Sequence, residues 1–260
     1  DTPQSDLSVQ YRFWHQLGGV SSNLGYEVRW VLGAVNSNRW IEFTSQGKVV
    51  ELSEMPQPEG WRHNRIKPIP TVHTIPSCAW QLSSKLKKGK FNRSRAIELG
   101  LNEDEKAELA AGKDVNKNGE LLLSKDFRAE DVRPSSVIIS GDTAEMAPNL
   151  TSVGGCNLLI HEATFLDDFA QHAQDYLHST ASGAARTALQ CNAEYLILTH
   201  FSARIRDAEE AVSEAKVIIS DAQGLASAND GDRVRIDDDG TVTMLKRTDK
   251  GWTQHNLSHH

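Results

Sequence analysis

The sequence predicts an α/β fold, and three observations carry that expectation. Val137-Ile138-Ile139, Leu158-Leu159-Ile160 and Leu196-Ile197-Leu198 are short apolar runs, each closed by a polar residue, which is the pattern of buried strands. Ser182 to Gln190 is rich in alanine, as in a helix packed closely on a sheet. Asp207 to Ala222 is amphipathic, with Ala211, Ala215, Val217 and Ile218 on its inward side. The polar residues that end the three runs fall within Ser140 to Ser202, in SGDT, HEATF and LTHFS, and HST lies between the last two. Sheet-based enzymes place their chemistry at strand ends.

Taken in order, Tyr11, Phe13, Trp14, Tyr26, Val28, Trp30, Val31 and Leu32 suggest strands. Turns are expected at Gly18-Gly19 and Asn36-Ser37-Asn38, and a loop at Pro56 to Gly60. His15 and His63 stand alone, as structural or exposed histidines usually do. Val72, His73 and Ile75 read as a strand that breaks before Pro76 and resumes at Ala79, Trp80 and Leu82, which puts His73 at the break. Two short helices are expected at Ser94 to Leu99 and Glu103 to Ala111, around Gly100, then a turn at Asn118-Gly119 leading into a strand. Phe165 to Tyr176 is helix-like, and Val234, Ile236 and Thr241 to Leu245 form a hairpin around Asp239-Gly240. The tail ending His259-His260 reads as disordered and not as a metal site.

Composition narrows the function. At 260 residues and 38% hydrophobic, the chain can bury the core of one large domain. Its formal net charge of -7 argues against indiscriminate nucleic-acid binding. Against that balance, Lys85 to Arg95 holds six basic residues and no acidic one, with Gly89 inside the run. This is either a solvated face or a mobile, backbone-exposed loop suited to phosphate. No apolar run approaches the roughly 18 residues of a membrane span, and no signal peptide is seen, so the expectation is a cytoplasmic or organellar protein with no membrane partner. Cys78, Cys156 and Cys191 match no zinc or disulfide spacing and read as small core or near-core thiols.

Asp142 follows a predicted strand and a glycine, and His200 follows Leu196 to Thr199, so both can be presented at a sheet edge. A carboxylate and an imidazole there suit a divalent metal, and Asp can bridge two ions. The alternative is that Asp142 caps a helix and His200 is hydrogen-bonded in a loop. A glutamate such as Glu162 that bonds a histidine such as His178 would raise its basicity and let it protonate a leaving oxygen.

SGDT (Ser140 to Thr143), HEATF (His161 to Phe165), HST (His178 to Thr180) and LTHFSAR (Leu198 to Arg204), in this order and spacing, resemble the second half of ribonuclease Z, the tRNA 3′-processing endonuclease of the metallo-β-lactamase fold. Upstream, VHTIPSCAW (Val72 to Trp80) is similar to the family's histidine-and-proline segment. GKFNRSRAIELGL (Gly89 to Leu101) with ELAAGKDV (Glu108 to Val115) resembles its basic loop and insertion, so the likeness covers roughly Pro70 to Ala222.

The resemblance implies a metallo-β-lactamase-like αββα sandwich lacking its N-terminal metal-motif segment. It would be a single partial domain over residues 1–260, with a basic loop and insertion at about 83–132. It implies a zinc-dependent endoribonuclease that removes 3′ trailers from precursor tRNA by metal-hydroxide attack on the phosphodiester after the discriminator nucleotide. The products would be a tRNA 3′-hydroxyl and a trailer 5′-phosphate.

His73 and His200 would be ligands of the two zinc ions and Asp142 their bridge, while Glu162 and His178 would serve the leaving group. Lys87, Lys88, Lys90, Asn92, Arg93, Ser179, Thr180, Ser202 and Arg204 would touch substrate, with Lys88-Gly89 in place of the family's usual proline. Precursor tRNA would be the partner and a homodimer the assembly. The family's HxHxDH motif does not occur among these residues, and in the family it lies upstream of the segment matched by His73. The alternatives are another metallo-β-lactamase-fold phosphodiesterase or hydrolase acting on small molecules, or a catalytically degenerate RNA- or partner-binding homologue.

Overall fold

The computed structural model describes residues 29–34, 39–44, 49–86, 88–131, 134–219, 224–237, 239–255 and 257. The strands expected about Tyr11, Phe13, Trp14, Tyr26 and Val28, the turns at Gly18-Gly19 and Asn36-Ser37-Asn38, His15, Lys87 and the His259-His260 tail lie outside these residues.

The chain begins with β1 (Arg29–Ala34), β2 (Arg39–Thr44) and β3 (Val49–Leu52), an antiparallel sheet of their own. β4 (Asn64–Pro70) and β5 (Cys78–Ser84) follow. An insertion holds α1 (Arg93–Glu98), α2 (Glu103–Ala110) and the hairpin β6 (Val115–Lys117) and β7 (Glu120–Leu122). The remainder is β8 (Ser136–Ile139), α3 (Pro148–Thr151), β9 (Cys156–Glu162), α4 (Ala170–Tyr176), α5 (Ala181–Gln190), β10 (Ala193–Thr199), α6 (Ala208–Lys216) and β11 (Gly224–Ser227). β12 (Arg233–Ile236), β13 (Val242–Thr248) and β14 (Gly251–His255) close the chain as an antiparallel sheet.

The three apolar runs become neighbours. The main sheet has the order β11-β10-β9-β8-β5-β4, with β8 to β11 parallel and β5 and β4 antiparallel to their neighbours. Successive side chains point to opposite faces of a strand, so each run feeds two cores. Ile138, Leu159, Leu196 and Leu198 pack on one face with Ala181, Ala184, Ala185 and Ala188 of α5 and Ala211 and Ala215 of α6. Alanine there lets the helices approach the sheet closely. Leu158, Ile197 and Ala226 face the other way and pack against Val242 and Met244 of β13 and Leu257. The layers are therefore helices, mixed sheet and second sheet, an α/β arrangement set by period-2 burial. Among the described residues no helix is long and apolar enough to cross a membrane.

Three expectations are corrected. Val217, expected on the inward side of its helix, is 83% exposed just past the end of α6, whose buried residues are only Ala211 and Ala215. Val72 to Ile75 is not strand: β4 ends at Pro70 and β5 starts at Cys78, with His73 in the connection between them. Pro68, Pro70 and Pro76 lack N–H donors, and the connection closes instead through Thr71 N donating to Ser77 O at 3.1 Å. Gly89 is also buried and not backbone-exposed. A Cβ there would lie 1.9 Å from the carbonyl oxygen of Ala129, so glycine serves close approach of two backbones. Its N–H donates to Asp131 Oδ1 at 2.9 Å, and Ala129 N donates to Lys90 O at 3.1 Å. The insertion has its own small core of Ala96, Leu101, Leu109, Val115 and Phe127.

Candidate metal centre

The site lies at the carboxyl ends of the parallel strands. β8 ends three residues before Asp142, β9 ends on Glu162, and β10 ends one residue before His200. Register puts Thr199 beside Glu162, and Ala163 N donates to Thr199 O at 2.8 Å. His200 has φ +58, a left-handed conformation that is uncommon for a residue with a side chain. Across from it, the connection carrying His73 is tied down by Ala144 N donating to Val72 O at 2.7 Å and Val72 N donating to Thr143 Oγ1 at 3.3 Å.

Glu162 organises the cluster. Its carboxylate is 1% exposed. Oε1 accepts from Thr143 N at 2.7 Å and from His178 Nδ1 at 2.8 Å. Oε2 accepts from the Thr164 hydroxyl, from Thr164 N at 3.4 Å and from Ser179 N at 3.2 Å. A buried charge is tolerated when donors fill its lone pairs, and here five donors do so.

These bonds set three tautomers. His178 Nδ1 faces a carboxylate, so it carries the proton. His73 Nδ1 lies 3.0 Å from Leu177 O, a carbonyl that can only accept. The Thr164 hydroxyl spends its single proton on Glu162, so His200 Nδ1, 2.9 Å from Thr164 Oγ1, must be the donor to it. In each neutral ring the lone pair is then on Nε2. His73 Nε2 lies 4.0 Å from Asp142 Oδ2, and His200 Nε2 lies 3.5 Å from Asp142 Oδ1. The His178 ring sits between the other two, with centroids 4.8 Å from His73 and 5.7 Å from His200.

Two groups of possible ligands arise, His73 with Asp142 and His178, and Glu162 with His178 and His200. The second is already saturated: the Glu162 oxygens and the Nδ1 atoms of His178 and His200 are bonded to one another or to Thr164. Of the first, His73 and Asp142, joined by His200 Nε2, present lone pairs without competing donors, and His178 Nε2 stands beside them. Donors on one tetrahedral zinc at about 2.0–2.1 Å lie roughly 3.3 Å apart, close to the His200–Asp142 separation. Imidazole and carboxylate donors whose other ring nitrogens are held by acceptors fit a divalent ion such as zinc.

His161 stands apart. It is fully buried, its Nδ1 donates to Glu162 O at 2.7 Å, and its Nε2 has no partner among the described residues. Burial holds its pKa below the ordinary histidine value.

The residues expected to touch substrate divide. Lys88 and Lys90 are exposed and have no ion-pair partner among the described residues. Arg93 pairs with Glu103 at 3.2 Å, and the Asn92 side chain caps α1 by accepting from Arg95 N at 3.0 Å. Ser179 and Thr180 are buried with their hydroxyls engaged. Ser179 Oγ donates to Thr143 O at 2.8 Å, and Thr180 caps α5 by accepting from Gly183 N at 2.9 Å. Ser202 Oγ accepts from Arg204 N at 3.4 Å, and the Arg204 guanidinium lies 6.0 Å from the Phe165 ring and 5.7 Å from that of Phe169.

Thr164, Thr143 and Leu177 escaped the sequence reading. Leu177 left no trace there, since it acts through its carbonyl from a left-handed backbone, φ +54, at the end of α4. Thr164 lies within HEATF, and its position between a glutamate and two histidines could have marked it.

No protein-family model matches the chain. The chain is 32% identical over 182 residues to a ribonuclease Z of Methanosarcina mazei, covering 70% of this chain and 57% of that protein. It is 36% identical over 147 residues to a ribonuclease Z of Nitrosopumilus maritimus, covering 56% and 49%. The chain thus spans about half the length of the curated relatives it matches. Among solved structures, the short form of human tRNase Z aligns over 77% of this chain and 48% of its own at 19% identity, with TM-score 0.39. The metallo-β-lactamase fold protein YhfI from Bacillus subtilis aligns over 65% and 48% at 17% identity, with TM-score 0.40. Over 182 of its 260 residues this chain is a homologue of ribonuclease Z.

Proposed function

We propose that this chain acts in zinc-dependent removal of 3′ trailers from precursor tRNA, as a homodimer. The observation that carries the reading is the set of three Nδ1–H groups held by Leu177 O, Glu162 and Thr164, which turns the Nε2 lone pairs of His73 and His200 toward Asp142. His73, Asp142 and His200 are the residues that would hold metal. Zinc, when bound, supplies Lewis-acid neutralisation of charge on the phosphate.

The chain's own residues supply the rest. His178 keeps its Nδ1 proton on Glu162, so a second proton at Nε2 is the one it can give to the leaving 3′-oxygen. The Glu162 carboxylate stabilises the resulting imidazolium and holds the ring's orientation. Lys88 and Lys90 are free to meet backbone phosphates, whereas Arg93 is already paired. Ser202 and Arg204 lie on the loop after β10.

The test is zinc content together with cleavage of a precursor tRNA and of a chromogenic phosphodiester. Cleavage at the discriminator that is lost on chelation supports the reading. Turnover of the small ester alone would replace it with a small-molecule phosphodiesterase. A second reading has its own observation: HxHxDH does not occur in these 260 residues, so His73, Asp142 and His200 are few donors for two ions. Less than about one tightly bound zinc per chain would favour an RNA- or partner-binding role.

A further inference from the structure

A cavity of about 190 Å³ opens beside the cluster; His178 lines both, as do Leu177 and Ala144, which tie down the connection carrying His73. Its apolar wall includes Ala170, Ala173 and Leu177, and its polar wall includes Gln174, Glu145 and Arg186. Arg186 Nη2 donates to Glu145 Oε2 at 2.6 Å, and both side chains are 42% exposed. Glu145 lies flat across α5 because residue 183 is glycine; a Cβ there would be 2.2 Å from the Glu145 carboxylate. A glycine inside a helix costs stability, so this close placement of the carboxylate is maintained against a penalty. Gln171 spends its amide on Asp175 at 2.9 Å, but the Gln174 side chain has no hydrogen-bond partner among the described residues.

We propose that this cavity is the subsite for the nucleotide that carries the leaving 3′-oxygen, with its 5′-phosphate on Arg186 and its base against Leu177 and Gln174. The assignment rests on the reading of His178 as the proton donor, because the donor to a leaving oxygen must adjoin the nucleotide that bears it. Of the groups that meet at this corner, His178 faces the sugar 3′-oxygen and Arg186 is the cation. The volume is below the roughly 300 Å³ of ordinary small-molecule pockets, so it suits one base and not an oligonucleotide. Glu145 competes with the phosphate for the same guanidinium. It therefore acts as a stand-in for that anion on Arg186, and an incoming phosphate must displace it.

Nucleoside 5′-monophosphates, with a free 3′-hydroxyl, are the probes, and titration calorimetry of the full chain in chelator reads their affinity without metal or turnover. The 5′-monophosphate should bind at least about tenfold tighter than the corresponding nucleoside or 3′-monophosphate, the ratio expected for one charge-assisted phosphate contact. Arg186→Ala should abolish that preference, and Glu145→Gln should tighten 5′-monophosphate binding by about threefold, a gain that misfolding cannot produce. Equal affinity for the three probes, or no effect of either substitution, overturns the subsite. The function proposed above fails separately, by absence of zinc and of precursor cleavage in a chain that still shows this nucleotide preference.

Discussion

Glu162→Gln is the most informative single change. The replacement keeps shape but converts one carboxylate oxygen into an NH2 group. On the Oε1 side that group would face the N–H of Thr143 and Nδ1–H of His178; on the Oε2 side it would face the N–H groups of Thr164 and Ser179 and the Thr164 hydroxyl. The Oε1 side is the less costly, because His178 can move its proton to Nε2 and accept from the new amide, while Thr143 N–H stays stranded. One stranded buried N–H costs about 1–3 kcal/mol, and loss of charge-assisted bonds adds to it, so we expect about 3 kcal/mol of destabilisation. For a chain of this size that lowers the midpoint of thermal unfolding by roughly 6–12 °C. Unfolding by urea and by heat measures the loss, and 15N chemical shifts of the His178 ring report the tautomer. A stability change under about 1 kcal/mol, with His178 still protonated at Nδ1, would refute the assignment of Glu162 as a saturated anion.

Other predictions follow from exposure and charge. Asp142→Ala and His200→Ala should each abolish tight zinc binding while changing stability by less than about 1 kcal/mol, since these side chains are 40% and 51% exposed; metal analysis and melting of the two variants check this. Burial pushes the thiols of Cys156 and Cys191 up to about 12 and about 11, so in the native protein a thiol reagent at pH 8 should reach Cys78 well before either. Because the folded chain holds those two protons more tightly than the unfolded one, stability should fall as pH rises from about 9 toward 11 and 12, as pH-dependent denaturation would show. Replacing Lys88 and Lys90 together with Ala should reduce the salt dependence of RNA binding by roughly two phosphate contacts, while Arg93→Ala should change it less, because Arg93 is paired with Glu103. Filter binding across a salt series measures both.

Much of the architecture was legible. The runs at Val137, Leu158 and Leu196 are adjacent parallel strands, and the alanine-rich and amphipathic stretches pack on one face of their sheet, because burial on a sheet repeats every two residues and on a helix every three or four. The Asn118-Gly119 turn was legible for a related reason: both residues take positive φ, as the tight hairpin requires. The loop holding His73 was misread as strand, since Val72 and Ile75 have strand-like side chains while three nearby prolines withhold the donors a ladder needs.

The sequence by itself determined which residue types stand at the strand ends: Asp142, Glu162 and His200 follow apolar runs, and that order survives any detail of packing. Only the tertiary structure decided what those side chains do. It joined Glu162 to His178 across 2.8 Å, turned Ser179 and Thr180 inward, and seated Gly89 against Ala129. Strand periodicity is a local property of the backbone, whereas a histidine's tautomer depends on acceptors brought from distant segments. For His73 that acceptor is Leu177 O, 104 residues away in the chain, and no local pattern encodes it.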